Sequence, residues 1–246
     1  MLGPLAEHRF LTLTQVALLL GVSDASAARR LARLHDARLI RLERVFSGLP
    51  PAVQIRSAGL RAIGSTMRPP RRNLNEYRHD VGVAWLWLAA RSGRFGELRT
   101  LVSDRRMRAD DGAAVAGGLE PAWGLRLWLS AARGRERHYP DLLMDTVSGH
   151  RVAVELELTA KSRHRLGAIM SAYAGDQRID QVLYLAAGAQ AAANVSAAAR
   201  LAGISDRVEV QRVAANRIAG AEIGSSAVGA RRGRSRGGTQ RSGVAR

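Results

Sequence analysis

Apolar positions in the first sixty residues recur first at helical and then at strand spacing. Val16, Ala17, Leu19 and Leu20 supply the buried stripe of a short helix. Thr12-Leu13-Thr14-Gln15 fits a capping box ahead of it: the Thr12 hydroxyl accepts from the Gln15 amide, and the Gln15 side chain reaches back. Gly21 ends the helix where a left-handed residue costs least. Ser23 or Asp24 caps a second helix that runs to about Asp36. On it Ala27, Leu31 and Leu34 group on one side, and Ser26, Arg29, Arg30 and Arg33 on the other. Leu39 to Val45 alternates as a half-buried strand, Gly48-Leu49-Pro50-Pro51 is a turn, and Ala52 to Arg56 reads as a returning strand. Ser57 to Gly64 is a short closing helix, so the order is helix, turn, helix, two-stranded ribbon, helix.

Beyond this unit, Arg68-Pro69-Pro70-Arg71-Arg72-Asn73 is proline-punctuated and basic, as in a linker. Glu76 to Arg91 carries a dense apolar face, Val81, Val83, Ala84, Trp85 and Leu88, and predicts a well-buried helix. His79-Asp80 opens it and reads as a cap with a neighbouring histidine in preference to a catalytic pair. Glu97 to Val102 and Leu125 to Ala131 are strand candidates separated by a glycine-rich, charged connection. His138 to Met144 and Arg151 to Leu158 flank Ser148-Gly149 as a hairpin. Thr159 or Ser162 starts a helix with Leu166, Ile169, Met170 and Tyr173 inward. Strand Gln181 to Leu185, helix Ala191 to Ala202 and strand Arg207 to Val213 complete a mixed α/β pattern.

Charge changes the picture most. Thirty-eight Lys and Arg against twenty-one Asp and Glu leave a net charge of +17. Such a surplus costs self-repulsion that a polyanion offsets, although a basic genomic bias gives the same balance. With aromatics at only 4%, few rings are left for stacking single-stranded bases, which favours a duplex partner. The absence of cysteine excludes disulfides, thiolate zinc sites and cysteine nucleophiles. Val81 to Ala90, the longest near-apolar run, is too short to span a bilayer. The chain is therefore expected in the cytoplasm, without a membrane partner. Residues 218–246, rich in Gly, Ser, Ala and Arg, are expected to be a disordered basic tail able to hold phosphate non-specifically.

Two groups of residues offer chemistry. The serine and three arginines of the second helix suit a DNA major groove, where guanidinium groups reach guanine edges or phosphates. A solvated arginine face is the plainer explanation, and the strand pair that follows favours the groove. The second group is acidic. Asp141 and Glu155 are equidistant from Ser148, so a hairpin centred there sets them opposite each other. Glu157 faces the same way as Glu155, and three carboxylates converge. Such a cluster needs a cation, a basic residue or a proton to relieve it, and oxygen ligands of this kind suit Mg²⁺ or Mn²⁺. The six histidines show no metal-ligand spacing, and Gly117-Gly118 lacks the features of a phosphate-cradling loop.

Phe10 to Gly64 resembles a winged-helix DNA-binding domain of bacterial regulators. That resemblance implies that Arg29, Arg30 and Arg33 enter the groove and that Arg44, at the wing, touches phosphate. Pro140-Asp141 followed across a hairpin by Glu155-Leu156-Glu157, in an αβββαβ order, is similar to the restriction-endonuclease-like fold of PD-(D/E)xK type. Together with the His-Asp helix and Lys161 downstream, the whole resembles the replication-relaxation family, associated with plasmids and other mobile elements. The expected fold is α+β: a winged helix-turn-helix over 8–67, a basic linker over 68–74, a mixed α/β nuclease-like domain over 75–215 and the tail. The resemblance implies a duplex-DNA-binding accessory protein of replication or transfer, working with replication or transfer proteins. One alternative is a metal-dependent endonuclease with Asp141, Glu155, Glu157 and Lys161 catalytic, and Asp141 and Glu155 as metal ligands. Another is a winged-helix transcriptional regulator. Glu157 stands where the nuclease pattern wants lysine, and Lys161 is the candidate to replace it.

Overall fold

The computed structural model describes residues 1–45, 51–71, 73–127 and 136–214. The first sixty residues form helix α1 (Leu2–Glu7), strand β1 (Leu11–Thr12), helices α2 (Leu13–Leu20) and α3 (Asp24–Asp36), strands β2 (Ile40–Glu43) and β3 (Ala52–Ile55), and helix α4 (Ser57–Ala62). The capping box at Thr12 and Gln15 is present, Gly21 is left-handed at φ 61°, and Ser23 caps α3. Sequence pattern finds these elements because their signals are local. It misses α1 and β1, which are short and held by partners distant in sequence. β1 pairs with β3, so the expected two-stranded ribbon is a three-stranded sheet in the order β1-β3-β2. The predicted turn at 48–51 falls largely outside the described residues, as does everything from residue 215 onward, including the expected tail.

A 3₁₀ turn (Leu74–Glu76) leads into α5 (Tyr77–Arg91), followed by β4 (Leu98–Ser103), α6 (Asp104–Ala116), β5 (Leu125–Arg126), β6 (Arg137–His138), β7 (Leu142–Thr146), β8 (Arg151–Glu157), α7 (Arg163–Gly175), β9 (Gln181–Ala187), α8 (Ala189–Leu201) and β10 (Val208–Val213). The architecture is mixed α and β. Its central sheet has five strands in the order β10-β9-β8-β7-β4. β4, β7 and β8 pair antiparallel, while β8, β9 and β10 pair parallel. The parallel connections run through α7 and α8, as parallel pairing requires.

Three expectations change here. The charged connection after β4 folds as α6, capped by Ser103, with Met107 buried and the Asp111 carboxylate accepting from the Ala122, Trp123 and Gly124 amides. Of the strand expected over Leu125 to Ala131, Leu125–Arg126 is strand and pairs with β6 in a separate sheet, while residues 128–131 lie outside the described residues. The single strand expected from His138 to Met144 is two strands, interrupted at Tyr139-Pro140-Asp141, where proline has no N–H for a ladder.

The helix α5 is buried on both sides, which explains why it is apolar almost all round. Ala84 packs into the N-terminal core with Val16, Leu31 and Ile55. Val81, Trp85 and Leu88 pack on one face of the central sheet with Met144, Val154 and Leu156. Fully burying an aliphatic side chain of this size is worth roughly 1.5–3 kcal/mol. The other sheet face packs Ala153, Val182 and Tyr184 against Ile169 and Met170 of α7 and Val195 of α8. Gln15, fully buried, completes its cap and also donates to the Val81 carbonyl of α5 at 2.8 Å. Among the described residues no helix is long and apolar enough to cross a membrane.

Candidate functional site

The N-terminal unit presents α3. Ala27 and Leu31 are buried, and the opposite face carries Arg29, Arg30 and Arg33, all exposed, with Ser26 half-buried beside them. The Arg29 guanidinium donates to the Ser26 hydroxyl at 2.9 Å, which restricts that side chain. Among the described residues no acid pairs with Arg30 or Arg33. Arg44 is exposed just past β2. The separation of faces expected from the sequence is therefore present, because helical periodicity alone decides which side the apolar residues seek.

The acidic residues gather at one end of the central sheet. Leu142 pairs with Val154, so the register sets Asp141 beside Glu155, as the hairpin symmetry about Ser148 predicts. Each carboxylate nevertheless turns to its own protein partner. Asp141 Oδ2 accepts from the Leu156 amide at 2.8 Å and lies 3.2 Å from His79 Nε2 on α5. Glu155, buried, meets His138 Nε2 at 2.5 Å and accepts from the Tyr173 hydroxyl of α7. Glu157 forms an ion pair with Lys161. Lys161 precedes the Ser162 cap of α7, so it lies outside the helix and is free to turn back towards the acids.

The electrostatics follow from burial and these partners. Burial alone would raise the Glu155 carboxyl; His138, Lys161 and Tyr173 outweigh it and hold the group below its ordinary range. Glu157 is raised by burial, against Lys161 and with Glu155. Burial would lower the Lys161 ammonium, but Glu155, Glu157 and Asp141 raise it, so the lysine lies in the field of all three acids. Burial likewise opposes charge on His79, yet Asp141 and then Asp80 lift its imidazole to about 9. Burial and the charge of Glu155 push the Tyr173 hydroxyl well up, keeping it a donor.

Mg²⁺ or Mn²⁺ would be offered Asp141 and Glu155. In this arrangement both are engaged elsewhere, and among the described residues no three His, Asp or Glu side chains are grouped to hold a metal ion. The acids as they stand do not fit such an ion. They form a network relieved from within by one lysine, two imidazoles and a phenol.

His79-Asp80 is not a cap: α5 starts at Tyr77, and its N-cap is Glu76, with no side-chain cap bond. Asp80 instead receives Arg9 of the N-terminal unit, which donates to Asp80 at 2.9 Å and to Asp104 at 3.0 Å. Burial raises Asp80 to about 6, against the pull of Arg9. Glu7 adds a second tie across the same junction, accepting from Ser103 and Arg106. The sequence placed Tyr173 in the core and offered no part in the site for it, Arg9 or His138, since each partner lies at least 17 residues away and no spacing signals it.

Comparison with protein-family models, with curated proteins and with solved structures gives no match to this chain.

Proposed function

We propose that the chain binds duplex DNA through α3, with α2, α3, β2, β3 and α4 acting as a winged helix-turn-helix. The observation that carries this reading is the exposed row of Arg29, Arg30 and Arg33, with Ser26, opposite the buried Ala27 and Leu31. A helix seated by one apolar face and offering guanidinium groups on the other suits the major groove. The net charge of +17 and the exposed Arg44 add phosphate attraction around it. The second unit is read as nuclease-like because the order α5, β4, β7, β8, α7, β9 follows an αβββαβ plan once α6 and the short β5–β6 pair are set aside. A role in replication or transfer of a mobile element, with the acidic network as architecture, rests on the resemblance carried by Tyr139-Pro140-Asp141, Glu155-Leu156-Glu157 and Lys161.

The test is a gel-shift titration of duplex DNA with the Arg29→Ala, Arg30→Ala, Arg33→Ala triple variant. Each good groove contact is worth about 1–3 kcal/mol, so binding should fall by several kcal/mol in sum. Stability should stay within about 0.5 kcal/mol, since all three side chains are exposed. Unchanged affinity would remove α3 from the groove.

A metal-dependent endonuclease is the second reading, favoured by Asp141 lying beside Glu155 with Lys161 in the field of both. It requires the two acids to exchange His79 and His138 for a cation. Supercoiled plasmid incubated with Mg²⁺, Mn²⁺ or EDTA decides it, alongside an Asp141→Ala, Glu155→Ala variant. Metal-dependent nicking lost in the variant establishes the enzyme. No cleavage by either protein, with DNA still bound, leaves the binding reading.

A further inference from the structure

A groove of about 280 Å³ lies between the small β5–β6 sheet and the C-terminal half of α7, away from the acidic network. Among the described residues three arginines line it, Arg126, Arg137 and Arg178. Arg178 is already matched, bound through both its edges to Asp176 and to the Ala122 carbonyl. The other two are not.

Arg126 and Arg137 are direct cross-strand partners in the β5–β6 pair. Like charges set opposite each other in a ladder destabilise it unless an anion intervenes. Among the described residues the carboxylate that meets these two arginines is Glu120, at 3.4 Å from Arg126 and 3.8 Å from Arg137. Its side chain is 83% exposed, so this shared pair is weak and easily exchanged. Arg137, by contrast, is held in place. It donates to the Gly124 carbonyl at 2.9 Å, and a Cβ on Gly124 would stand only 2.9 Å from its Cδ and 2.8 Å from the Tyr139 ring. Glycine at 124 therefore keeps the space that the Arg137 stem and the Tyr139 ring occupy.

We propose that this groove binds a phosphate group, with Arg126 and Arg137 as its fork and Glu120 as the internal anion that the ligand displaces. Guanidinium groups meet phosphate oxygens through paired N–H donors, and two of them against one exposed carboxylate leave a full positive charge for the ligand. The exposed Ser171 hydroxyl stands on the α7 side of the same groove. The phosphate belongs either to a duplex backbone, extending the footprint beyond α3, or to a free phosphorylated small molecule. Only the first source rests on the DNA-binding reading above.

The experiment uses the full chain, an Arg126→Gln, Arg137→Gln variant and a Glu120→Gln variant. Duplex affinity is measured across a salt series, and pyrophosphate binding by calorimetry. If the backbone is the ligand, the arginine variant loses about 1–2 from the slope of log affinity against log salt and weakens several-fold, while Glu120→Gln tightens. If a free phosphate is the ligand, pyrophosphate binds the wild type, is lost in the arginine variant and binds more tightly to Glu120→Gln, with the duplex slope unchanged. The opposite sign expected of Glu120→Gln separates anion binding from damage to the fold. Unchanged duplex slope together with no pyrophosphate binding overturns the proposal. The pyrophosphate measurement does not depend on α3, so failure of the groove and failure of the DNA reading are distinguishable.

Discussion

His79 Nε2 and Asp141 Oδ2 lie 3.2 Å apart, tying the first turn of α5 to the residue that precedes β7. Because the imidazole is lifted from 6.5 to about 9, the charged pair contributes fully below about pH 6.5 and is lost as pH rises through 9. Asp80, raised to about 6, completes its titration by about pH 7, so the upper part of the window, from about 7 to 9, belongs to His79. The variant His79→Gln should therefore cost about 1–3 kcal/mol in urea denaturation at pH 6.5, an estimate reduced for partial exposure, and little at pH 10. A cost independent of pH would show that the pair is a neutral hydrogen bond.

Arg9 is the cation between Asp80 and Asp104. Its removal leaves the Asp80 side chain, only 4% exposed, beside a second carboxylate and with the neighbouring His79 imidazole as its remaining counter-charge. Arg9→Ala should cost roughly 3 kcal/mol near neutral pH, and less below pH 6, where Asp80 takes up a proton. Arg9→Lys keeps the charge but not the fork that reaches both acids, and should fall between. Chemical denaturation at two pH values reads this out. If Arg9→Ala is silent, the junction is held by the Glu7 contacts and the apolar packing around α5.

Lys161 is the internal counter-cation of Glu157. Lys161→Met should destabilise by about 3 kcal/mol, because it strands a buried carboxylate, and adding Glu157→Gln should recover much of that loss. Millimolar Mg²⁺ or Mn²⁺ should leave the wild-type melting temperature unchanged, since the acids are already matched from within. A rise with metal concentration would instead report a cation bound to the native state, and would favour the endonuclease reading.

Along the chain, what could be read was what is local or periodic. The capping box at Thr12 and Gln15, the two faces of α3 and the hairpin symmetry that sets Asp141 beside Glu155 all follow from backbone geometry within a few residues or across one turn. For the same reason α6 was missed: its stripe is thin, with Met107 and Asp111 its only buried residues. The apolar run of α5 announced burial, but not that the helix would be covered on one side by the N-terminal core and on the other by the sheet.

Tertiary structure alone decided the partners of the charged groups. By itself the sequence determined that a basic helix faces outward and that three acids meet at one sheet end. It did not determine whether a metal, a proton or a protein cation would relieve those acids. His79, His138, Tyr173 and Lys161 answer that, brought in by α5, β6, α7 and the loop before α7. Periodicity is a property of consecutive residues, whereas charge compensation depends on distances of a few ångströms between groups that the chain can hold far apart.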